Sequence, residues 1–293
     1  MVKKSQKKKN YINLLYVPML LLLAVFVIYP LIKGVFLSFT NWNGYSQNYK
    51  MVGFDNYIKV FSDPKVLTAF RNTVIYGFGS TLIQNILGLA FALFLNQKFR
   101  GRAVCRTIIY MPVMIAPLIM GYIMYFFVMY DGGALNDIRI LLETEALDWL
   151  NNGMRAVVIL TVINALQFAG ISMVIYLAGL QNISTMYYEA AKIDGASSLQ
   201  QFKYITFPLL IPAISSAVIL NLIGGLKLFD IIMALTAGGP GSSSHSLSTL
   251  VNRTYFGGEQ AGYASAIGLV SFLFIMLVSN IFIRFFDKRE VDV

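Results

Sequence analysis

The side chains of this 293-residue sequence that could do chemistry are few, and most are neutral. Asn164, Gln167, Asn221 and Asp230 stand inside long apolar runs, as do Tyr122 and Lys227. Amides and a carboxylate offer planar hydrogen-bond partners to hydroxyl groups, and a tyrosine offers an aromatic face. Tyr122, Asn164, Gln167, Asn221, Lys227 and Asp230 are therefore read as candidate residues of a polar path. Each also suits a second role, as hydrogen-bonding glue between apolar helices. Lys227 and Asp230 lie three apart, a helical spacing at which they can neutralise each other. A charge at the centre of a bilayer costs about 2.5–3.5 kcal/mol on insertion scales, so such groups face protein or water. A pair that snorkels to the interface is the plainer alternative.

Catalytic chemistry is not expected. No GxxxxGK[S/T] run occurs, and the Gly-Ser-rich stretch that starts at Gly238 lacks the lysine of a phosphate-binding loop. It reads as a mobile external loop. His245, the one histidine, reads as solvated within it. Cys105 is the one cysteine, which excludes an internal disulfide and a cysteine metal site. No HExxH motif appears, and no catalytic, cofactor-binding or metal residue is assigned.

Composition dictates what must hold the polar residues. The chain is 57% hydrophobic and 13% charged. Long uncharged runs at that composition belong to a polytopic membrane protein. The reading is an all-α membrane protein with six transmembrane helices, at 14–32, 72–95, 104–130, 156–180, 207–237 and 263–286. Residues 1–10 form a basic cytoplasmic tail, and 11–293 form one six-helix domain. Gly77, Gly79, Ser80 and Gly88 permit close packing of the second span, which also holds Gln84 and Asn85. Pro112 and Pro117 should kink the third. The net charge of +9 reports orientation rather than nucleic-acid binding. Lys3, Lys4, Lys7, Lys8, Lys9, Lys98, Arg100, Arg102, Arg106, Lys192, Lys203, Arg284, Lys288 and Arg289 fall on one side of a six-span topology. The positive-inside rule makes that side cytoplasmic, with both termini.

One polar segment on that side, 181–207, breaks the apolar pattern. Ser184 can cap a short helix that ends at Gly195, where a left-handed residue is cheap for glycine. Ser197 followed by Gln200 reads as a capping box that opens a second helix. Pro208 and Pro212 then lead into the fifth span. The result is a helix-turn-helix at the membrane surface. Ala190, Ala191, Gly195 and Ala196 leave one side bare, and Tyr187, Tyr188, Ile193 and Phe202 offer apolar knobs to a partner. An amphipathic connector packed on its own protein is the alternative.

Glu189-Ala190-Ala191, then Gly195, Ile205 and Pro208, resembles the coupling loop of ABC importer permeases. Leu180 to Ile183 and Asp194 to Ala196 match as well, while Phe207 stands where leucine is commoner in that family. Gly133 to Asn136, Trp149-Leu150, Phe229-Asp230, Thr236 to Pro240 and Gly262 to Ala266 resemble its carbohydrate-uptake branch, the maltose and glycerol-phosphate transporter type. The resemblance implies a subunit of the bacterial-type inner membrane that moves a sugar, oligosaccharide or polyol by alternating access. It implies a second permease subunit (a heterodimer in most of this branch), two ATPase subunits that carry the ATP and Mg, an extracytoplasmic solute-binding protein, and contact with membrane lipid. Tyr188, Glu189, Ala190, Ala191, Asp194 and Gly195 would couple to the ATPase. A phosphorylated polyol remains an alternative solute. An ion-coupled secondary transporter is a different reading, and it predicts inverted repeats and broken helices.

Overall fold

A computed structural model describes residues 16–288. The five N-terminal lysines and Arg289 lie outside the described residues. The chain divides into two compact units, 1–62 with 251–270, and 63–250 with 271–293.

In the first unit, α1 (Val17–Leu37) is long and apolar, and nearly all of it is exposed within the chain. Thr40 pairs with Met51 in an isolated antiparallel bridge. The short helix α2 (Asp55–Ser62) follows. Asn56 holds the turn after α1 by donating to the carbonyls of Ser38 (2.8 Å) and Thr40 (2.9 Å). The Lys59 ammonium sits 4.1 Å from the Tyr263 ring centroid, a cation–π contact.

In the second unit, α3 (Pro64–Asn96) starts eight residues before the expected second span. Asp63 caps it by accepting from the Lys65 N–H at 2.9 Å, and Pro64 occupies the first turn, where its missing N–H costs nothing. The third span is not one kinked helix. It is α4 (Arg102–Tyr110), a 3-10 turn over Met111–Met114, and then α5 (Pro117–Val128), with a 99° bend between the halves. Two prolines remove donors and force Ala116 into an extended conformation, so the helix breaks rather than bends. A short helix, α6 (Ala134–Leu141), comes next. Asn136 organises this region. It donates to the carbonyls of Tyr130 and Leu147, both at 3.0 Å, and accepts from the Leu147 N–H and the Trp149 indole, both at 3.0 Å.

The 30-residue helix α7 (Gly153–Asn182) packs along α3. Gly88 makes that approach possible. A Cβ there would overlap the Ser172 Cβ and come 3.0 Å from the Met173 nitrogen. Small residues let two apolar helices approach backbone to backbone, which is how helices associate in a solvent as apolar as themselves. Leu95, Met173, Tyr176, Leu177, Leu180 and Leu210 fill one core cluster, and Tyr76, Leu160, Ile163, Ile231 and Ile232 belong to a second.

After α8 (Thr185–Ile193), the helix α9 (Ser198–Leu209) meets α10 (Ile211–Leu226) at a 64° bend. The fifth span ends at Leu226 rather than near residue 237. The chain breaks at Lys227 and restarts as α11 (Asp230–Leu235). Residues 238–262 were expected to be a mobile loop. They instead include α12 (Leu247–Asn252), and Ser244, His245, Ser246 and Thr249 are buried. The last helix, α13 (Ala261–Asp287), matches the sixth span. Among the described residues, four helices are long and apolar enough to cross a membrane, and up to six crossings result if each bent pair counts as one.

Candidate functional site

A cavity of about 260 Å³ opens beside the break between α10 and α11. Asn164, Phe168 and Ile171 line it from α7, Asn221 from α10, and Lys227, Phe229 and Asp230 from the break itself. Gln84 of α3 also lines it. The break has a buttress. Ser246 donates its hydroxyl to the Leu228 carbonyl at 2.7 Å. Asn72 donates to the carbonyls of Ser243 (2.7 Å) and His245 (3.0 Å), and Tyr76 donates to that of Ser244 (2.8 Å). His245 is 1% exposed, with Nδ1 3.0 Å from the Thr249 hydroxyl. It belongs to this scaffold and is not the solvated residue expected.

Lys227 and Asp230 do not share a helix, because Lys227 caps the end of α10 and Asp230 opens α11. Among the described residues neither forms an ion pair, so the mutual neutralisation expected from their spacing is not seen. Both are exposed to the cavity, one cation and one anion on the same wall. Asn221 donates to the Ser172 hydroxyl at 2.6 Å, which fixes its amide against α7.

Two of the six expected path residues are elsewhere. Gln167 is buried, and its amide donates to the Ile115 carbonyl at 2.9 Å. That carbonyl belongs to the break before Pro117, where helical partners are missing. Gln167 therefore patches a broken backbone, the packing role left open for it. Gln167→Leu should cost about 1–3 kcal/mol through the orphaned carbonyl. Thermal unfolding in detergent should show the loss, and the order of preference among solutes should stay unchanged. A changed preference at normal stability would sink this assignment. Tyr122, on α5, is 54% exposed and does not line the cavity.

The sequence reading passed over Gln84, Phe168 and Phe229 as lining residues. Asn164, Phe168 and Ile171 follow a 4-3 spacing, the signature of one helix face, so Phe168 could have been found from periodicity. Gln84 could not, because nothing in the sequence places α3 against that face.

The polar segment folds as its sequence dictates. Ser184 accepts from the Met186 N–H at 3.4 Å. At the end of α8, Gly195 has φ of +77°. The Gly195 N–H reaches the Lys192 carbonyl at 3.1 Å, and the Ala196 N–H reaches that of Ala191 at 2.9 Å. This double closure is a Schellman motif. Both halves of the Ser197–Gln200 capping box are present. The Tyr188 hydroxyl lies 2.9 Å from that of Thr206, which ties α8 to α9. Glu189, Ala190, Asp194 and Gly195 are exposed, Ala191 and Tyr188 are half-buried, and Ile193 is 87% exposed. The turn therefore presents a carboxylate, a bare backbone and apolar knobs on one surface element.

The family model described as the binding-protein-dependent transport system inner membrane component matches residues 84–291. The multiple sugar-binding transport system permease protein of Streptococcus mutans is 37% identical, over 93% of each chain. The trehalose/maltose transport system permease protein of Thermococcus litoralis is 33% identical, over 97% of this chain and 95% of that one. A crystal structure of a bacterial ABC transporter involved in the import of alginate contains a chain with the same fold, at a TM-score of 0.84 over 98% of both chains and 22% identity. The matched region runs from Gln84 in the second half of α3 to the end of α13, cavity and polar segment included. The chain thus belongs to the inner membrane components of binding-protein-dependent transport systems, the multi-pass permease subunits of ABC importers.

Proposed function

We propose that this permease carries a neutral sugar, oligosaccharide or related polyol into the cytoplasm. The cavity at the α10–α11 break supports that reading. Its polar wall combines amides with one cation and one anion, and Phe168 and Phe229 supply aromatic surface. Charges of opposite sign cancel in sum, which suits hydroxyls that both donate and accept and disfavours a phosphorylated polyol. The sugar-transporting names of its relatives agree. Both bent pairs count as spans in this reading, giving six crossings with both termini cytoplasmic. Two broken spans are also what an ion-coupled carrier would need, but membership of this family supports ATPase partners as the energy source.

The exposed face of α8 and its turn then docks one ATPase subunit, and a second permease subunit docks the other. ATP and Mg belong to those partners. Closure of the ATPases moves the coupling element, and the spans switch between inward-open and outward-open states as rigid bodies. An extracytoplasmic binding protein delivers the solute.

Copurification from native membranes tests the whole reading. An ATPase and a second permease should come down with this chain. Its ATP hydrolysis should rise when the copurified binding protein is loaded with a sugar. If no ATPase copurifies under gentle conditions, the coupling role of α8 is wrong. Stimulation by glycerol phosphate but by no neutral sugar would transfer the solute assignment to the anionic class.

A further inference from the structure

We infer that Gln84 is a specificity-determining residue, one that accepts a hydrogen bond from a solute hydroxyl at the deep wall of the cavity. The inference rests on the sugar reading above and adds a residue to it. Gln84 is 1% exposed and lines the cavity from α3. Its side-chain nitrogen donates to the Asn164 backbone carbonyl at 3.1 Å. A carbonyl can only accept, so the amide must turn its NH2 to Asn164. That leaves Oε1 as the other atom, buried and without a hydrogen-bond partner among the described residues. An unpaired buried acceptor is costly to keep, and an amide fixed at one end cannot turn to find another partner. What it needs is a donor that arrives from the cavity.

The complementary group is an O–H. An anionic or purely accepting solute group would meet this oxygen lone pair to lone pair. The flanking residues fit a polyol too, since Asp230 also accepts while Lys227 donates. One ring hydroxyl would point at Gln84 while others face the charged wall. Sites built to bond a hydroxyl discriminate against the analogue that lacks it, because their own polar atom is then left unpaired.

The test uses the complete transporter in vesicles, with its partner permease, ATPase subunits and binding protein. Maltose, trehalose and lactose are compared first. Monodeoxy analogues of the best transported sugar then compete with it for uptake. The wild type should disfavour one deoxy analogue by about five- to ten-fold, the size of one neutral hydrogen bond. Gln84→Met, close in length and without an acceptor of comparable strength, should lose that preference and keep the others. Any selectivity of the binding protein is common to both forms and cancels. If Gln84→Met does not reach the membrane, Gln84→Ala carries the same comparison. A variant that slows every analogue by one common factor, with the preference profile intact, would show that Gln84 only packs, and the inference fails while the sugar reading stands. No uptake of any of the three sugars by the wild type would overturn the sugar reading, and the hydroxyl assignment with it.

Discussion

Glu189→Arg is expected to release the ATPase subunits and stop uptake, while the chain still inserts and folds. Glu189 is exposed on α8 and makes no ion pair among the described residues, so the fold of this chain does not depend on its charge. A partner that buries the carboxylate against a cation would lose about 2–5 kcal/mol from the reversal. At about 1.4 kcal/mol per tenfold, assembly should weaken by roughly thirty-fold or more. Gly195→Trp should act on the same surface by a different route. The left-handed backbone at φ of +77° strains any L side chain, by about 1–2 kcal/mol. Apart from its own chain neighbours, no described residue has an atom within 4 Å of where a Cβ would sit, so the indole would project outward into whatever docks there. Affinity copurification and vesicle uptake measure both effects, and circular dichroism checks the helices. Normal uptake and an intact complex in the double variant would remove the coupling role from this turn.

Gly88→Leu should damage the bundle itself. The new side chain must enter the seam where α3 meets the backbone of α7 at Ser172 and Met173. Neither neighbour is the flexible end of a long side chain, so the helices have to separate. Overpacking of this kind costs about 1–3 kcal/mol, and more where backbone must move. The damage should extend to the cavity. Ser172 accepts the hydrogen bond that fixes Asn221, and Gln84 lies one turn from Gly88. Uptake should therefore fall further than the loss of folded protein explains. Gly88→Ala, which adds one carbon, should show a smaller shift in the same direction. A thermal midpoint in detergent that is equal for wild type and Gly88→Leu would mean the seam is looser than the structure indicates.

Local chemistry explains why some of this was legible in advance. Both helix caps of the polar segment, its glycine turn and its capping box depend on residues within a few positions of one another. The caps at Ser184 and Ser197 and the turn at Gly195 therefore appear where side-chain chemistry puts them. The apolar runs likewise mark α1, α3, α7 and α13, because a helix with no water to bond must satisfy its own backbone. Prolines marked the third span, but spacing alone could not separate a kink from a 99° break. That difference depends on whether a neighbour can satisfy the freed carbonyl, and here Gln167 from α7 does so.

The sequence by itself determined the class of protein, the long apolar runs, and the caps and glycine turn of the polar segment, while its motifs carried the resemblance to the family. The runs, caps and turn follow from hydropathy and from short-range hydrogen bonds, which need no knowledge of distant neighbours. Only the tertiary structure decided which polar residues share a cavity. It kept Asn164, Asn221, Lys227 and Asp230 together, moved Gln167 and Tyr122 out, and brought in Gln84 from 80 residues away along the chain. It also turned residues 243–246, part of an expected mobile loop, into a brace under the break at Lys227, with Ser244, His245 and Ser246 buried. An amide in an apolar helix can serve a solute or a neighbouring backbone equally well. The rotation and contact of packed helices choose between the two, and no local spacing encodes that choice.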